Sequence, residues 1–371
     1  MMHLLGLAAW LLFALTFAPA VRSRLVARLL GGIARQHRIH HWLGLGTGLL
    51  VLVHVLFEIL GEPESAFAFE DPFLVLAWIA AMLLIAGILF SFVKNLSHQR
   101  WALIHWSLLF ALASAFAHGQ AYLHQESIDR LVFYAGAISA GLSIAVISLM
   151  RLYGTTWRIV SIRELSPTMH ELGLKADGNS GRRFKAGSIV FAQFGRGFSR
   201  AWHPFSVASC QISPVIRLLI KSVGKDTSHL QDLHEGDSLN IQGPFAEFSV
   251  PPEQNQIWIA GGVGIAPFLG MTRCLDFRNS GDIRLMHYQT AEEPELTREF
   301  AAFQVQHAQF LWKSSVTPHA DFSEIREWMA DISQPAFLVC GPPSFMKSAR
   351  KFLIGAGVQS SGIRTEEFSP W

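Results

Sequence analysis

Cysteine is scarce in this chain: three in 371 residues, Cys210, Cys274 and Cys340, with no CxxC spacing among them. So few thiols, so placed, argue against a zinc site or a disulfide framework and suit a reducing compartment for the part that holds them. Net charge is scarce too. Thirty Lys and Arg stand against 28 Asp and Glu, for a formal charge of +2, which leaves no cationic excess to hold nucleic acid. No internal repeat and no low-complexity tract is visible. What the chain has in quantity is apolar surface: half of its residues are hydrophobic and the mean hydropathy is +0.30. That excess sits in residues 1–150, whereas 151–371 have the composition of an ordinary soluble protein.

Five apolar stretches, near 4–20, 41–60, 72–93, 101–121 and 131–150, approach or reach the ~20 residues that a helix needs to cross a bilayer. Ala18-Pro19-Ala20 imitates a signal-peptide cleavage site, but no Lys or Arg precedes the first run, while Arg22, Arg24 and Arg28 follow it, the reverse of a signal peptide's flanks. The connection after the first span also carries Arg35 and Arg38, and the third connection carries Lys94 and Arg100. The second holds Glu62, Glu64, Glu70 and Asp71 without a basic residue, and the fourth has only Arg130. The bias of Lys and Arg toward the cytoplasmic side then places the N-terminus outside and the polar half in the cytoplasm. The expectation is a multi-pass protein of the cell (inner) membrane.

The polar half divides again. Short β-like runs at 188–194, 215–221 and 238–241, separated by Gly, Pro and Asp turns, predict an antiparallel barrel. Beyond 254, apolar strand candidates at 257–260, 283–288 and 336–339 alternate with helical stretches, the pattern of a parallel α/β sheet. The expected organisation is an all-α transmembrane bundle over 1–151, an antiparallel β-barrel over 152–250 and an α/β nucleotide-binding domain over 251–371.

Histidine placement is the strongest chemical signal. The second span holds His40 and His54, 14 residues apart, and the fourth holds His105 and His118, 13 apart; at ~1.5 Å rise per residue each gap is roughly 20 Å along the helix. Because both spans run the same way, His40 falls level with His105 and His54 with His118. Imidazoles are costly to bury in lipid, so four matched in depth on two helices point to function. Two stacked bis-histidine sites suit two b-type haems, whose iron is saturated by two such ligands for electron transfer. His41, 13 before His54, is the alternative to His40.

This bundle resembles the transmembrane domain shared by ferric reductases and NADPH oxidases. There the first paired helix opens with a His a few residues before Leu-Gly, matching His40 ahead of Leu43-Gly44, and the second carries Trp shortly before its first His, matching Trp101 and His105. Family members often have six spans, and on this resemblance the five seen here are expected to correspond to all but the first. The polar half resembles the same family's ferredoxin–NADP reductase-type module. His203-Pro204-Phe205-Ser206 resembles its His-Pro-Phe-Thr/Ser flavin signature, with Phe205 as the flat side chain against the isoalloxazine, Ser206 as the hydroxyl near its reactive nitrogen, and His203 toward the diphosphate or ribose. The segment around Lys221, Gly224 and Thr227 resembles the diphosphate-binding turn, and Gln242-Gly243-Pro244-Phe245 resembles the turn ending the flavin barrel, with Ala246 where Gly is usual. Gly261-Gly262-Val263-Gly264, followed by Pro267 in the first helical turn, forms a glycine-rich nucleotide turn after a strand. Cys340-Gly341-Pro342 resembles the Cys-Gly-Pro-x-x-Met motif, its Cys facing the contact between nicotinamide and flavin. The tail matches a terminal Glu-x-aromatic at Glu366 and Phe368, the aromatic covering the flavin until nicotinamide displaces it; three further residues leave Trp371 as a rival cover.

The resemblance implies a membrane oxidoreductase in which NAD(P)H reduces FAD in the cytoplasm, and single electrons pass by way of two haems to an extracytoplasmic acceptor. Ser206, Cys340 and Phe368 would then stand at the reacting centre. The short outer connections and the acidic 61–71 loop favour ferric iron or another metal chelate as acceptor. Superoxide production from O2, and electron donation to a periplasmic redox protein, are the alternatives. Glu292 and Glu293 after the 283–288 strand favour NADH, and Arg273 is the residue that could favour NADPH, so the donor stays open between the two.

Overall fold

The computed structural model describes all residues except 1, 22, 31, 94–97, 124–126, 153, 179–183, 195–201, 223–231, 246–247, 249–250, 252, 276–279 and 368–371. The chain divides into two compact units, Met1–Tyr153 and Gly154–Trp371.

In the first unit, five stretches among the described residues are long and apolar enough to cross a membrane: His3–Ala20, Ile33–Gly61, Pro72–Ser91, Arg100–Tyr122 and Ile128–Met150. They correspond to α1 (Met2–Leu15) with a short 3₁₀ turn, α3 (Ile33–Gly61), α5 (Pro72–Ser91), α6 (His98–Tyr122) and α7 (Ser127–Leu152). Two short helices, α2 (Arg24–Leu30) and α4 (Pro63–Ala66), fill the first two connections. The expected spans are all present. The start of α5 follows capping chemistry, with the Asp71 side chain accepting from Phe73 N at 2.8 Å and Pro72 in the first turn, where a missing N–H costs nothing. Helix α1 packs on α3 and α7, and α5 on α6; Trp10 stacks on Phe133, with ring centroids 4.9 Å apart, and donates its indole N–H to the Phe133 carbonyl at 3.0 Å.

Pro19 ends the first span in a way that matters below. It has no N–H to donate, so carbonyls of the preceding turn are left for other partners. Gln36 of α3 exploits the break: its buried amide donates to the Pro19 carbonyl at 2.6 Å and the Val21 carbonyl at 2.7 Å.

The second unit holds two sheets. Strands β1 (Thr155–Ser166), β2 (Met169–Ala176), β3 (Ile189–Phe194), β4 (His203–Ser206), β5 (Ile216–Lys221) and β6 (Ser238–Gln242) form an antiparallel sheet in the order β4-β3-β6-β1-β2-β5. A single bridge between Val207 and Leu218 brings its two edges together, so the sheet is a nearly closed barrel around Trp157, Leu172, Val190, Leu218 and Ile241. The second sheet is parallel throughout. It joins β7 (Gln256–Gly261), β8 (Ile283–Gln289), β9 (Phe310–Val316), β10 (Ala336–Gly341) and β11 (Ile363–Glu367) in the order β11-β10-β7-β8-β9. Helices α8 (Ala266–Thr272) and α9 (Pro294–Gln306) cover one face, α10 (Ser323–Asp331) and α11 (Pro343–Gly355) the other. Strand order reverses between β7 and β10, and a crevice at their carboxyl ends is where such sheets take ligands.

Cys210 and Cys274 are joined in a disulfide, and Cys340 is a buried free thiol. This corrects the expectation drawn from their spacing. The partners lie 64 residues apart and meet only because the connection between β4 and β5 lies against the end of α8, which linear spacing does not reveal.

Candidate functional site

The bundle brings its histidines together in pairs. The rings of His40 and His105 have centroids 5.9 Å apart at 64°. Two imidazole nitrogens either side of one metal ion, each about 2 Å from it, hold their ring centres roughly 6 Å apart, so this pair has a spacing at which both rings could hold one metal ion. His40 Nδ1 lies 2.8 Å from the Thr16 carbonyl, one of the acceptors left over at the end of the first span. That bond makes Nδ1 the protonated nitrogen and leaves the Nε2 lone pair for a metal. His105 stacks on Trp101, 4.7 Å away at 13°. His41 points elsewhere: it is exposed and its ring meets Trp42 and Phe92.

At the other end of the same helices, His54 and His118 lie close enough for their charges to interact. His118 Nδ1 approaches the Phe73 carbonyl at 3.2 Å, and its ring packs on Tyr122, whose hydroxyl donates to Asp71. The His54 ring packs against α1 at Gly6, where a Cβ would come within 3.2 Å of it. A glycine there lets the imidazole occupy the space between the helices.

In the second unit, the flavin signature forms β4, paired to β3 with Phe205 opposite Val190 and Ser206 opposite Ile189. Phe205 is buried in the barrel core, edge-on to Phe194 at 5.9 Å. Ser206 is fully buried, and its hydroxyl has no partner among the described residues. An orphaned hydroxyl at that depth is expensive, and a polar ring atom of bound FAD would satisfy it. His203 and Pro204 are half-buried on the same strand. Gly224, Thr227, Ala246, Phe368 and Trp371 lie outside the described residues.

The glycine-rich turn follows β7 as a 3₁₀ segment, Gly262–Ile265, and runs into α8 with Pro267 in its first turn. Gly262 has φ +53°, a left-handed conformation that favours glycine. Gly264 has a different reason. A Cβ there would stand 2.3 Å from the Cys340 carbonyl oxygen, so the missing side chain lets the turn lie against the end of β10. Cys340 itself is fully buried, and burial pushes its thiol well above the usual range, with Glu366 adding to the shift.

Two charged clusters carried no spacing signal in the sequence. In one, Glu171 of β2, 1% exposed, accepts from three guanidiniums: Arg273 at 2.5 Å, Arg217 at 2.9 Å and Arg163 at 3.2 Å. Glu299 of α9 binds Arg273 at 2.6 Å and Arg163 at 2.8 Å. Burial alone would raise Glu299, yet Arg273 and Arg163 outweigh it and hold the carboxyl below its usual range. Arg273 thereby ties barrel to nucleotide lobe, its guanidinium engaged by two carboxylates and the Ala208 carbonyl. The other cluster gathers His287 and Gln289 of β8 with Glu293 at the start of α9, beside the glycine-rich turn. His287 Nε2 is 3.0 Å from the Gly262 carbonyl and 3.9 Å from Glu293 Oε2. Burial holds the imidazole down at about 4, so it is neutral and its N–H serves Gly262. Glu293 Oε2 and Gln289 Oε1 are buried with no partner among the described residues.

Residues 5–117 match the family model described as ferric reductase like transmembrane component, and residues 160–258 match an FAD-binding domain. The phenol hydroxylase P5 protein of Acinetobacter pittii is 29% identical over 57% of this chain and 64% of its own length. Ferric reduction oxidase 7, chloroplastic, of Arabidopsis thaliana is 25% identical over 72% of this chain and 39% of its own. Among solved structures, the ferredoxin-NADP+ reductase of Plasmodium falciparum superposes with a TM-score of 0.52, at 16% identity, over 58% of this chain and 97% of its own. The chain thus joins a ferric-reductase-like transmembrane domain to an FAD-binding reductase module, and it spans about two thirds and two fifths of the lengths of the two relatives.

Proposed function

We propose that this ferric-reductase-like membrane flavoprotein oxidises NAD(P)H in the cytoplasm and delivers the electrons to an acceptor outside the cell membrane, a ferric or other metal chelate. The observation that carries the reading is the pairing of His40 with His105 at a two-ligand spacing, in the same chain as a flavin signature whose Ser206 hydroxyl lacks a partner. When bound, FAD would take up one hydride, two electrons together, and release them singly, and haem would carry single electrons across the apolar bundle.

The protein's own contribution is binding, orientation and proton placement. His40 with His105, and His54 with His118, would each hold one b-type haem. The Thr16 carbonyl fixes the His40 tautomer, and Gln36 anchors the same turn from one helical turn away. Ser206 would offer its hydroxyl to the flavin ring, Phe205 would back the ring from the barrel wall, and His203 and Lys221 would lie toward its diphosphate. Gly261, Gly262 and Gly264 would admit the backbone to the nucleotide diphosphate, with Pro267 opening the helix behind them and Cys340, Gly341 and Pro342 bordering the nicotinamide end. Phe368 is our choice for the residue that covers the flavin until nucleotide arrives. The loop at the other end of the bundle, with Glu62, Glu64, Glu70 and Asp71, favours a cationic acceptor over a small neutral one.

Acceptor profiling tests this. The purified, haem-loaded protein is given NADH or NADPH with ferric chelates or with O2, superoxide dismutase being added in parallel. Reduction of the chelate insensitive to the dismutase is the expected result. Dismutase-sensitive turnover on O2 alone would move the assignment to superoxide production, and electron delivery only to an added redox protein would move it to the adaptor reading.

A further inference from the structure

We propose that Glu293 is a positioning residue whose carboxyl group takes up a proton when the diphosphate of the dinucleotide docks on the glycine-rich turn, so that nucleotide binding is coupled to protonation; this rests on the function proposed above. The geometry supplies the motive. Glu293 is 3% exposed and one of its oxygens has no donor among the described residues. The nearest candidate, His287 Nε2 at 3.9 Å, is already directed at the Gly262 carbonyl. On the far side stands Lys221 of β5, whose Nζ lies 3.8 Å from the point where a side chain on Gly262 would begin. Gln289 Oε1, on the same face of β8, is equally short of a donor. From its own segment, Glu292 is exposed and Glu295 is paired with Arg298, so neither compensates Glu293.

A carboxylate so placed is held by little besides the Lys221 charge. Burial raises it to about 7, and Lys221 is the influence that pulls it down. A diphosphate drawn to Gly262 adds like charge near Glu293 and shares the Lys221 charge, which already lies toward the FAD diphosphate, and both effects favour the neutral carboxyl. The sign follows. Below about pH 7 the group is already protonated and binding draws no proton from solution. Above that pH a proton must be acquired, and nucleotide affinity falls by at most about tenfold per pH unit. A protonated Glu293 also becomes a donor, able to serve Gln289 Oε1 or the ligand. A buried carboxyl that stays ionised throughout would instead be a fixed repulsive charge beside the turn.

Titration calorimetry of the detergent-solubilised, FAD-loaded full chain decides between these. NAD+ and NADP+ serve as non-reducing probes at pH 7.5, in two buffers of different ionisation enthalpy, and affinity is followed from pH 6 to 8.5. Wild type should take up a measurable fraction of one proton per nucleotide bound and lose affinity as pH rises above 7. E293Q, which mimics the neutral carboxyl, should bind at pH 8.5 as tightly as wild type binds at pH 6, with no uptake. Binding without proton uptake in the wild type, which needs no variant to fold, overturns this inference alone, as does equal uptake in E293Q. Absence of any nucleotide binding overturns the proposed function with it.

Discussion

The two halves of the molecule place their chemistry by different rules. In the helical unit the candidate ligands are set by helix rise: 14 residues on α3 and 13 on α6 carry the eye from one end of a span to the other, and the pairing of His40 with His105 follows. In the reductase half, groups that meet come from distant strands. Glu171 of β2 reaches Arg273 beyond α8, and Lys221 of β5 sits by Gly262 beyond β7. A bilayer forces regular, countable backbone. A barrel and a parallel sheet instead assemble their sites at element ends, where spacing in sequence says little about distance.

Losing a ligand from the regular half should have the largest effect. His105→Ala, or His54→Ala at the other pair, is expected to leave about half the wild-type haem if each pair holds one group as we propose; a pyridine haemochrome assay measures it, and retention of both haems would break the one-pair, one-site rule. In the irregular half the largest effect belongs to Glu171. Glu171→Ala removes a buried carboxylate shared by three guanidiniums, leaves Arg163 and Arg273 to Glu299 alone, and should cost the reductase module about 3 kcal/mol, read as a shift in its urea midpoint with flavin fluorescence as the probe.

Gly264→Val comes next. In a glycine-rich nucleotide turn the simplest fault of a side chain is to obstruct the diphosphate. The structure directs the Cβ instead at the Cys340 carbonyl, so overpacking should cost about 1–3 kcal/mol and spread the turn from β10. NAD(P)H oxidation should be blocked while FAD is retained; normal turnover would show that the contact relaxes freely. A milder change is expected from acid. Because Glu299 is held below its usual range by Arg273 and Arg163, its contribution to stability is complete above the ordinary carboxylate range and fades as pH falls through and below it. A plot of the urea midpoint against pH should therefore bend downward in acid, and flatten there in Glu299→Gln. The smallest effect concerns the tail. Phe368→Ala should raise apparent nucleotide affinity by no more than roughly tenfold, and trimming 369–371 should do little unless Trp371 is the covering ring; dissociation constants for both variants separate these.

Much of the fold was legible because period and punctuation agreed. Five spans stood out from apolar length, and strands β3, β5, β6, β7, β8 and β10 from short apolar runs between turns. Strands β1 and β2 were less visible. Their run from Thr155 to Ala176 mixes Arg, Glu, Ser and Lys with apolar residues, because outward-facing positions of β1 are exposed and Glu171 points into a salt-bridged interior. Strands β9 and β11 lie at the two edges of their sheet, where half the surroundings are solvent and polar residues are tolerated. The choice between His40 and His41 could not be made by counting, since adjacent helical positions differ by about 100°; the contact of His40 with the Thr16 carbonyl and the exposure of His41 support our choice of His40. In the sequence Glu293 is one of two acids after a strand, read only for its bearing on NADH. Only the sheet and α9 around it make it buried.

The three guanidiniums on Glu171 bear on how far this module can be exchanged between proteins. A reductase half is a natural unit to transplant, and a boundary near residue 250 would cut one peptide connection and the Cys210–Cys274 disulfide. Yet two of the arginines on Glu171, Arg163 and Arg217, come from the barrel, whereas the third, Arg273, comes from the nucleotide lobe, as does Glu299. A chimera that keeps this barrel and imports a foreign nucleotide lobe would have to bring its own cation and carboxylate to those two places. Failing that, Glu171 and its barrel arginines would have to be replaced together by apolar residues of similar volume. The unit of exchange is therefore the seam with its charges, and a graft that respects only the domain boundary would inherit a buried imbalance.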